Sequence, residues 1–414
     1  MKILITSFTY PPQANGVSEA ARTQSAELVE RGHEVTVATG FDSTRSMEHW
    51  PAGVCVRQFK VSGAANTRGG CRGETASYGQ FIASYEGDII LCNCWQNWAT
   101  DVALEFFPKS KARKVMVSHG FSAHVWHPCR RFAWGLGQWL RAQPYVVRLP
   151  RMMKAFDHLV FLSSRCDAGR FFDHWVARRF VPGRISIIPN GVHLSELRKA
   201  PVDFRQRWNI NTKHLLLNVA YYSELKNQLA TLRDFMRANR PDATLVFIGS
   251  EFNDYSAKMK SYFESRHDRF PRAQAVFLEK IPRQTINAAY RASDVFILSS
   301  RRETQPLAIL DGMACGVPFI STNVGCVSDF PGGWVVSSGR RTTQSIHRLL
   351  DAPDLRRQLG EQGRGACMAR YDWNQVVNAY ENLFVRLLLP KNPGRITQPI
   401  EPKGGDSKTG CFPG

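Results

Sequence analysis

Residues 2–39 read KILITSFTYPPQANGVSEAARTQSAELVERGHEVTVAT, and the order of patterns within them decides the fold. KILIT is a short apolar run of strand character, SFTYPPQANGVS is a loop rich in Pro and Gly, and EAARTQSAELVERG repeats Ala21, Ala26, Leu28 and Val29 on one helical face. HEVTVAT then returns at once to strand. A strand, a loop, a helix and a second strand in that order make a βαβ unit, in which the helix crosses over and brings the second strand back parallel to the first. The loop after the first strand then lies at the carboxyl edge of a parallel sheet, where such folds bind ligands.

Outward from this unit, VCVRQF, DIILCN, KVMVSHG, HLVFLSS and ISIIPNG are further strand-like runs separated by polar, Gly-rich or helical sequence. That alternation belongs to an open α/β domain, which runs to about Pro189. After NGVHLSELRKAPVDFRQRWNIN the pattern restarts with HLLLNVAYYSELKNQ, ATLVFIGS, AVFLEKI, DVFILSS, VPFIST and GWVVSS. The expectation is an α/β protein of two Rossmann-like domains, residues 1–192 and 193–371, which suits a chain of 414 residues. In residues 372–389, Trp373, Val376, Val377, Tyr380, Leu383, Phe384 and Leu387 share one helical face, so this helix is expected to pack along its length. Residues 390–414 read as a flexible tail.

Hydrophobic residues make up 43% of the chain and charged ones 21%, enough for full cores and against disorder. No window holds ~18 consecutive apolar residues, and MKILITSFTY lacks the long apolar region of a signal peptide. A cytoplasmic location is the expectation, with a peripheral position on the inner face of the cell membrane as its companion. Ten scattered cysteines are expected to be reduced, mostly buried thiols. Cys92, Cys94, His119, His124, His127 and Cys129 lack the spacing of a zinc site, so no metal is expected.

The net charge is +19, and its distribution says more than its total. Between Lys109 and Arg184 stand fifteen Lys and Arg against Asp157, Asp167 and Asp173 alone. Within this stretch Arg130, Arg131, Arg141, Arg148, Arg151 and Lys154 interleave with Phe132, Trp134, Trp139 and Tyr145, the composition of a helix lying on an anionic membrane. A solvated basic face is the plain alternative. No nucleic-acid partner is expected, because no helix-turn-helix, zinc-finger or RNA-binding aromatic motif accompanies the charge.

A second decisive stretch is SSRRETQPLAILDGMACGVP, residues 299–318. It reads as the end of a strand, a polar loop to Pro306, and a helix LAILDGMACG closed by Gly316. Glu303 falls in the loop and Asp311 inside the helix. A helix N-terminus offers free N–H groups and a positive dipole end to a phosphate, and a carboxylate on either side can accept from vicinal diols.

These residues resemble those of retaining GT-B glycosyltransferases, glycosyltransferase family 4, also called glycosyl transferases group 1. The resemblance runs through nearly the whole chain, and it implies an acceptor-side domain over 1–192, a nucleotide-sugar donor domain over 193–371 and a helix, 372–389, that crosses back to the first domain. ETQPLAILDGMACGVP is similar to the family's E-x7-E motif, with Asp311 in place of the second Glu. PPQANGVSEAA looks like the N-terminal glycine loop, which implies that Gly16 brings its backbone close to a donor diphosphate. VSHG matches the strand-end histidine, His119, and IIPNGV the interdomain signature. NVAYYSELKNQ matches the stretch that supplies an arginine and a lysine, giving Lys226 but putting Tyr221 where the arginine stands. Arg301 and Arg302, directly ahead of Glu303, are available to compensate.

The resemblance implies a retaining, metal-independent hexosyltransferase that takes a nucleoside-diphosphate sugar as co-substrate and needs no other cofactor. His119, Lys226 and Glu303 would carry the chemistry. Gly16, Tyr221, Lys280, Ile281, Gln305, Pro306, Leu307 and Asp311 would complete the donor site, although Pro306 has no N–H to give. The acceptor would be a hydroxyl of a lipid-linked or polysaccharide intermediate of cell-surface glycan synthesis, lipopolysaccharide included, presented by the basic segment on an anionic membrane. Two rival readings are a sugar-nucleotide epimerase on the same fold and a basic, non-catalytic binding protein.

Overall fold

The computed structural model describes residues 1–13, 15–122, 132–198 and 202–390. Arg130, Arg131, His124, His127, Cys129, the side chain of Trp134 and the tail 391–414 lie outside the described residues.

Two parallel sheets organise the chain. The first holds β1 (Lys2–Ser7), β2 (Glu34–Gly40), β3 (Cys55–Phe59), β6 (Ile89–Asn93), β7 (Arg113–Ser118), β8 (His158–Phe161) and β9 (Ile185–Ile187), in the order β3-β2-β1-β6-β7-β8-β9. An antiparallel hairpin, β4 (Val61–Gly63) and β5 (Cys71–Gly73), stands apart from it. The second sheet holds β10 (His214–Val219), β11 (Ala243–Gly249), β12 (Gln274–Glu279), β13 (Val295–Leu298), β14 (Phe319–Ser321) and β15 (Gly333–Val335), in the order β12-β11-β10-β13-β14-β15. All pairings within both sheets are parallel.

Each sheet is buried on both faces, as parallel sheets covered by crossover helices must be. Ile3 and Ile5 of β1 face one apolar cluster while Leu4 between them faces another, and Leu215 and Leu217 alternate with Leu216 in the same way. The alternation is the two-residue period of a strand put to use on two cores.

The first helix starts earlier than the apolar period indicated. It runs Gly16–Glu30 because the Asn15 side chain caps it, accepting from the N–H of Val17 at 3.1 Å and of Ser18 at 3.0 Å. This lifts GVS out of the loop and sets the helix N-terminus at the sheet edge.

The C-terminal helix, Trp373–Leu388, returns to the first sheet. Trp373, Val376, Val377, Tyr380, Leu383 and Phe384 are buried in the cluster built on β1, and Leu387 packs at its margin. Polar contacts pin the same helix: Arg31 meets Glu381 at 2.6 Å, His33 meets it at 2.8 Å, and Gln24 donates to the Tyr380 hydroxyl at 3.2 Å. Where the chain crosses between halves, Val192 bridges Asp372 and its N–H donates to the Tyr371 carbonyl at 2.7 Å. The eight cysteines among the described residues are free thiols, of which Cys92, Cys94, Cys326 and Cys367 are buried.

Candidate active site between the two sheets

β1 has β2 on one side and β6 on the other, and β10 likewise stands between β11 and β13. The strand order reverses at each, which opens a crevice at the carboxyl ends. The loops after β1, β10 and β13 therefore face one another. Between them lie two adjoining cavities of about 1270 Å³ and 980 Å³ that share Gly16, Tyr221, Lys226, Glu303, Gln305 and Leu307 in their walls.

Lys226, from the loop after β10, places Nζ 2.7 Å from Glu303 Oε1 in the loop after β13. The Ser300 hydroxyl donates to the same oxygen at 2.7 Å. The two side chains are 18% and 10% exposed, so the pair is largely screened from water while still bordering both cavities. Tyr221 lies beside it, with Nζ 5.2 Å from its ring centroid, within cation–π range. Arg301 and Arg302 line the smaller cavity with Lys226; Arg301 reaches Glu224 at 3.7 Å and Arg302 donates to the Phe121 carbonyl at 3.1 Å.

The helix Leu307–Ala314 begins at this pair, with Pro306 as its N-cap. It ends as the sequence indicated: Gly316 takes a φ of +75°, and the N–H of Val317 closes on the Gly312 carbonyl at 2.9 Å. Gln305 ahead of it is buried, and its Oε1 accepts from the Asn190 N–H at 2.7 Å. Gln305 Nε2 and Asn190 Oδ1 are buried with no partner, in residues that also line the cavities. One turn into the helix, both oxygens of Asp311 are engaged by Arg283, at 2.8 Å each.

His119 follows β7 directly and borders the smaller cavity. Its Nε2 lies 3.2 Å from Asn93 Oδ1, and the Asn93 amide nitrogen donates to Gln24 at 3.3 Å, so the amide oxygen accepts and Nε2 carries the ring proton. Burial pushes the His119 pKa down to about 4, which keeps the imidazole neutral at physiological pH. Among the described residues no group of three or more His, Cys, Asp or Glu is placed to hold a metal ion.

Residues 14–196 match the family described as Glycosyltransferase Family 4, and residues 202–366 the one described as Glycosyl transferases group 1. The chain belongs to glycosyltransferase family 4. Its two facing Rossmann-like sheets are the GT-B fold. N-acetyl-alpha-D-glucosaminyl L-malate synthase of Bacillus anthracis is 26% identical over 45% of this chain and 49% of its own length. The chain spans about half the length of the first curated relatives it matches. Sucrose-phosphate synthase from Thermosynechococcus elongatus superposes with a TM-score of 0.72 at 18% identity, covering 93% of this chain and 98% of that one. Anabaena HepE in complex with UDP-glucose gives 0.67 at 14% identity, covering 93% and 100%.

In this family 4 chain the halves touch around the 299–306 loop. The Thr304 hydroxyl donates to the His119 carbonyl at 2.8 Å, Arg170 to Asn323 at 2.8 Å, and Arg165 grips Asp329 with a closest approach of 2.7 Å. Gly120 makes the approach possible. It sits at a φ of +109°, and a Cβ there would come within 2.4 Å of Thr304 Oγ1.

The structure gathers His119, Gly16, Tyr221, Lys226, Ile281, Glu303, Gln305, Pro306, Leu307 and Asp311 around the cavities. Lys280 is absent from both walls; it is exposed, at a φ of +52°, with its N–H on the Ser250 carbonyl. Trp139, Arg141, Arg148, Arg151 and Lys154 also stand outside them. Sequence reading missed Asn15, Asn190 as a wall residue, and Arg283. An Asn directly ahead of Gly16 was a legible cap signal for the first.

Proposed function

We propose that this cleft binds a nucleoside-diphosphate sugar and transfers its hexose to a hydroxyl acceptor with retention of anomeric configuration. The observation that carries the reading is the Lys226–Glu303 pair at 2.7 Å, set where the helices Gly16–Glu30 and Leu307–Ala314 both begin at the cavity wall. A lysine and two positive helix ends suit a diphosphate, and the carboxylate beside them suits sugar hydroxyls. HepE, with the same fold, is known in complex with UDP-glucose, which supports a nucleotide-sugar donor here.

In the front-face route, the acceptor oxygen bonds to C1 of the hexose as the bond from C1 to the diphosphate oxygen breaks. The acceptor proton passes to a departing phosphate oxygen, leaving a glycoside and a nucleoside diphosphate. Lys226 and the helix ends stabilise the charge that grows on the leaving group, and neutral His119 offers hydrogen bonding to the sugar without adding charge. No metal is assigned a part. Proton NMR of the product tests this: an α-linked donor is expected to give an α-linked product at a rate unchanged by EDTA, and a β-linked product would refute retention.

The acceptor is proposed to come from a membrane surface. On the helix Phe132–Lys154, Ala142, Tyr145, Leu149 and Met153 are buried while Arg141, Arg148, Arg151 and Lys154 are exposed, together with Leu140 at 54% and Val147 at 78%. The exposed stripe joins apolar and cationic groups in the manner of an interfacial helix, which supports a peripheral position on the membrane. Among the described residues no helix is long and apolar enough to cross a membrane. Co-sedimentation is expected to be several-fold greater with anionic than with neutral vesicles, at ~1 kcal/mol per cation near the surface, and to fall when Arg148 and Arg151 become Glu. Equal binding to both vesicle types would remove the electrostatic basis.

A further inference from the structure

β6 and β7 pair with Asn93 beside Val117, and a strand returns to the same face every second residue, so His119 falls on the face of Asn93. The helices Gly16–Glu30 and Trp373–Leu388 cover that face, where Leu28, Val376 and Phe384 pack with Leu91 and Val117. Two amides stand in this apolar layer: Asn93 is 0% exposed and Gln24 1%. They form a single file of hydrogen bonds. Gln24 Nε2 donates to the Tyr380 hydroxyl at 3.2 Å, Asn93 Nδ2 to Gln24 Oε1 at 3.3 Å, and His119 Nε2 to Asn93 Oδ1 at 3.2 Å. Apolar side chains of the same shape would fill the layer with little change in stability, so the file points to a use at its open end, the imidazole. The loop after Asn93 is strained as well, with Cys94 at a φ of +70° and Gln96 at +59°. Strain of this kind gathers at functional sites, and Gln96 Oε1 accepts from the Ser122 N–H at 2.7 Å in the wall of the smaller cavity.

His119 is half-buried and borders the same cavity. Its Nδ1 has no hydrogen-bond partner among the described residues and is not one of the buried atoms in that condition, so it opens on the space the ring borders. A neutral imidazole has one N–H and one lone pair; with the N–H given to Asn93, the lone pair at Nδ1 is what the ring offers. Resting on the donor reading above, we infer that Asn93 is a positioning residue for the transfer, which fixes the proton on Nε2 and so makes His119 purely an acceptor for a hydroxyl of the donor hexose. That hydroxyl donates to Nδ1 and keeps its own lone pairs for donors elsewhere in the cavity. Without Asn93 the ring proton is free to sit on either nitrogen, and a ring with the proton on Nδ1 meets the hydroxyl donor to donor. Gln24 and Tyr380 act further back, by holding the Asn93 amide with its oxygen toward the ring.

Nitrogen-15 NMR of the full chain labelled at histidine, with the His119 signals assigned by their loss in His119→Gln, reads the tautomer directly. The wild type is expected to carry the proton on Nε2 alone, and Asn93→Ala to show both forms. Calorimetric titration with UDP-, GDP- and ADP-glucose, and with UDP, GDP and ADP, gives the second readout. For the nucleotide that the wild type binds, Asn93→Ala is expected to weaken the nucleotide sugar about fivefold and the free diphosphate less than about twofold. A merely structural role would weaken both alike. Asn93→Asp keeps an acceptor on Nε2, and is expected to keep the wild-type tautomer and to recover most of the sugar affinity. Should Asn93→Ala fail to fold, the wild-type spectrum and Asn93→Asp carry the test. A proton on Nδ1 in the wild type, a tautomer unchanged in Asn93→Ala, or sugar and diphosphate weakened equally overturns the inference alone. A wild type that binds none of the nucleotide sugars overturns the donor reading and this inference with it, whatever the tautomer.

Discussion

Glu303→Gln is expected to lower kcat/KM for the nucleotide-sugar donor by about two to three orders of magnitude while leaving the melting temperature within a few degrees of the wild type. The substitution is isosteric but removes the charge that holds Lys226 at 2.7 Å and receives the Ser300 hydroxyl at the same distance. Lys226 then loses its fixed position toward the leaving diphosphate, and the sugar loses a strong acceptor. Lys226→Ala is expected to cost a similar factor. Because the two act as one unit, the double variant should be little worse than either alone. Losses that multiply in the double variant would show that the residues serve independent ends.

Trp373→Ala is expected to destabilise the protein by about 3–5 kcal/mol, read as a fall in the midpoint of denaturant unfolding. The indole is 4% exposed where the C-terminal helix meets the first sheet, and the chain beside it is pressed close: a Cβ on Gly191 would lie 2.7 Å from the ring. No neighbour can collapse into the space without moving that crossing strand. Leu387→Ala, at the margin of the same cluster, should cost far less. A change below about 1 kcal/mol at Trp373 would contradict the tethering of this helix to the N-terminal half.

Much of this architecture was legible in the sequence because the physics behind it is local or periodic. The strand, Pro- and Gly-containing loop and helix of residues 2–39 announce their own order, and the apolar face of Trp373, Val376, Val377, Tyr380, Leu383 and Phe384 is the face the structure buries. The helix start at Gly16 was legible too, through Asn15, but apolar periodicity alone delays it to Glu19. What could not be read is the pairing of side chains distant in sequence. Nothing in the pattern of Arg283 or Asp311 states that they meet, since 28 residues and a strand separate them. Likewise Gly120 looks like any loop glycine until Thr304 of the other half stands against it. The short hairpin Val61–Gly63 with Cys71–Gly73 has three residues a side, too few to show alternation.

The central claim is that the cleft between the sheets takes a nucleoside-diphosphate sugar through Glu303 and Lys226. Thermal unfolding of the wild type and Glu303→Ala, each with UDP-, GDP- and ADP-glucose, tests it most directly. At a hundredfold excess over Kd, binding to the folded state adds ~2.7 kcal/mol and raises the melting temperature by several degrees. The account predicts such a rise for the wild type with one of the three and its loss in Glu303→Ala; no rise with any of them at millimolar concentration, or an equal rise in the variant, would contradict it.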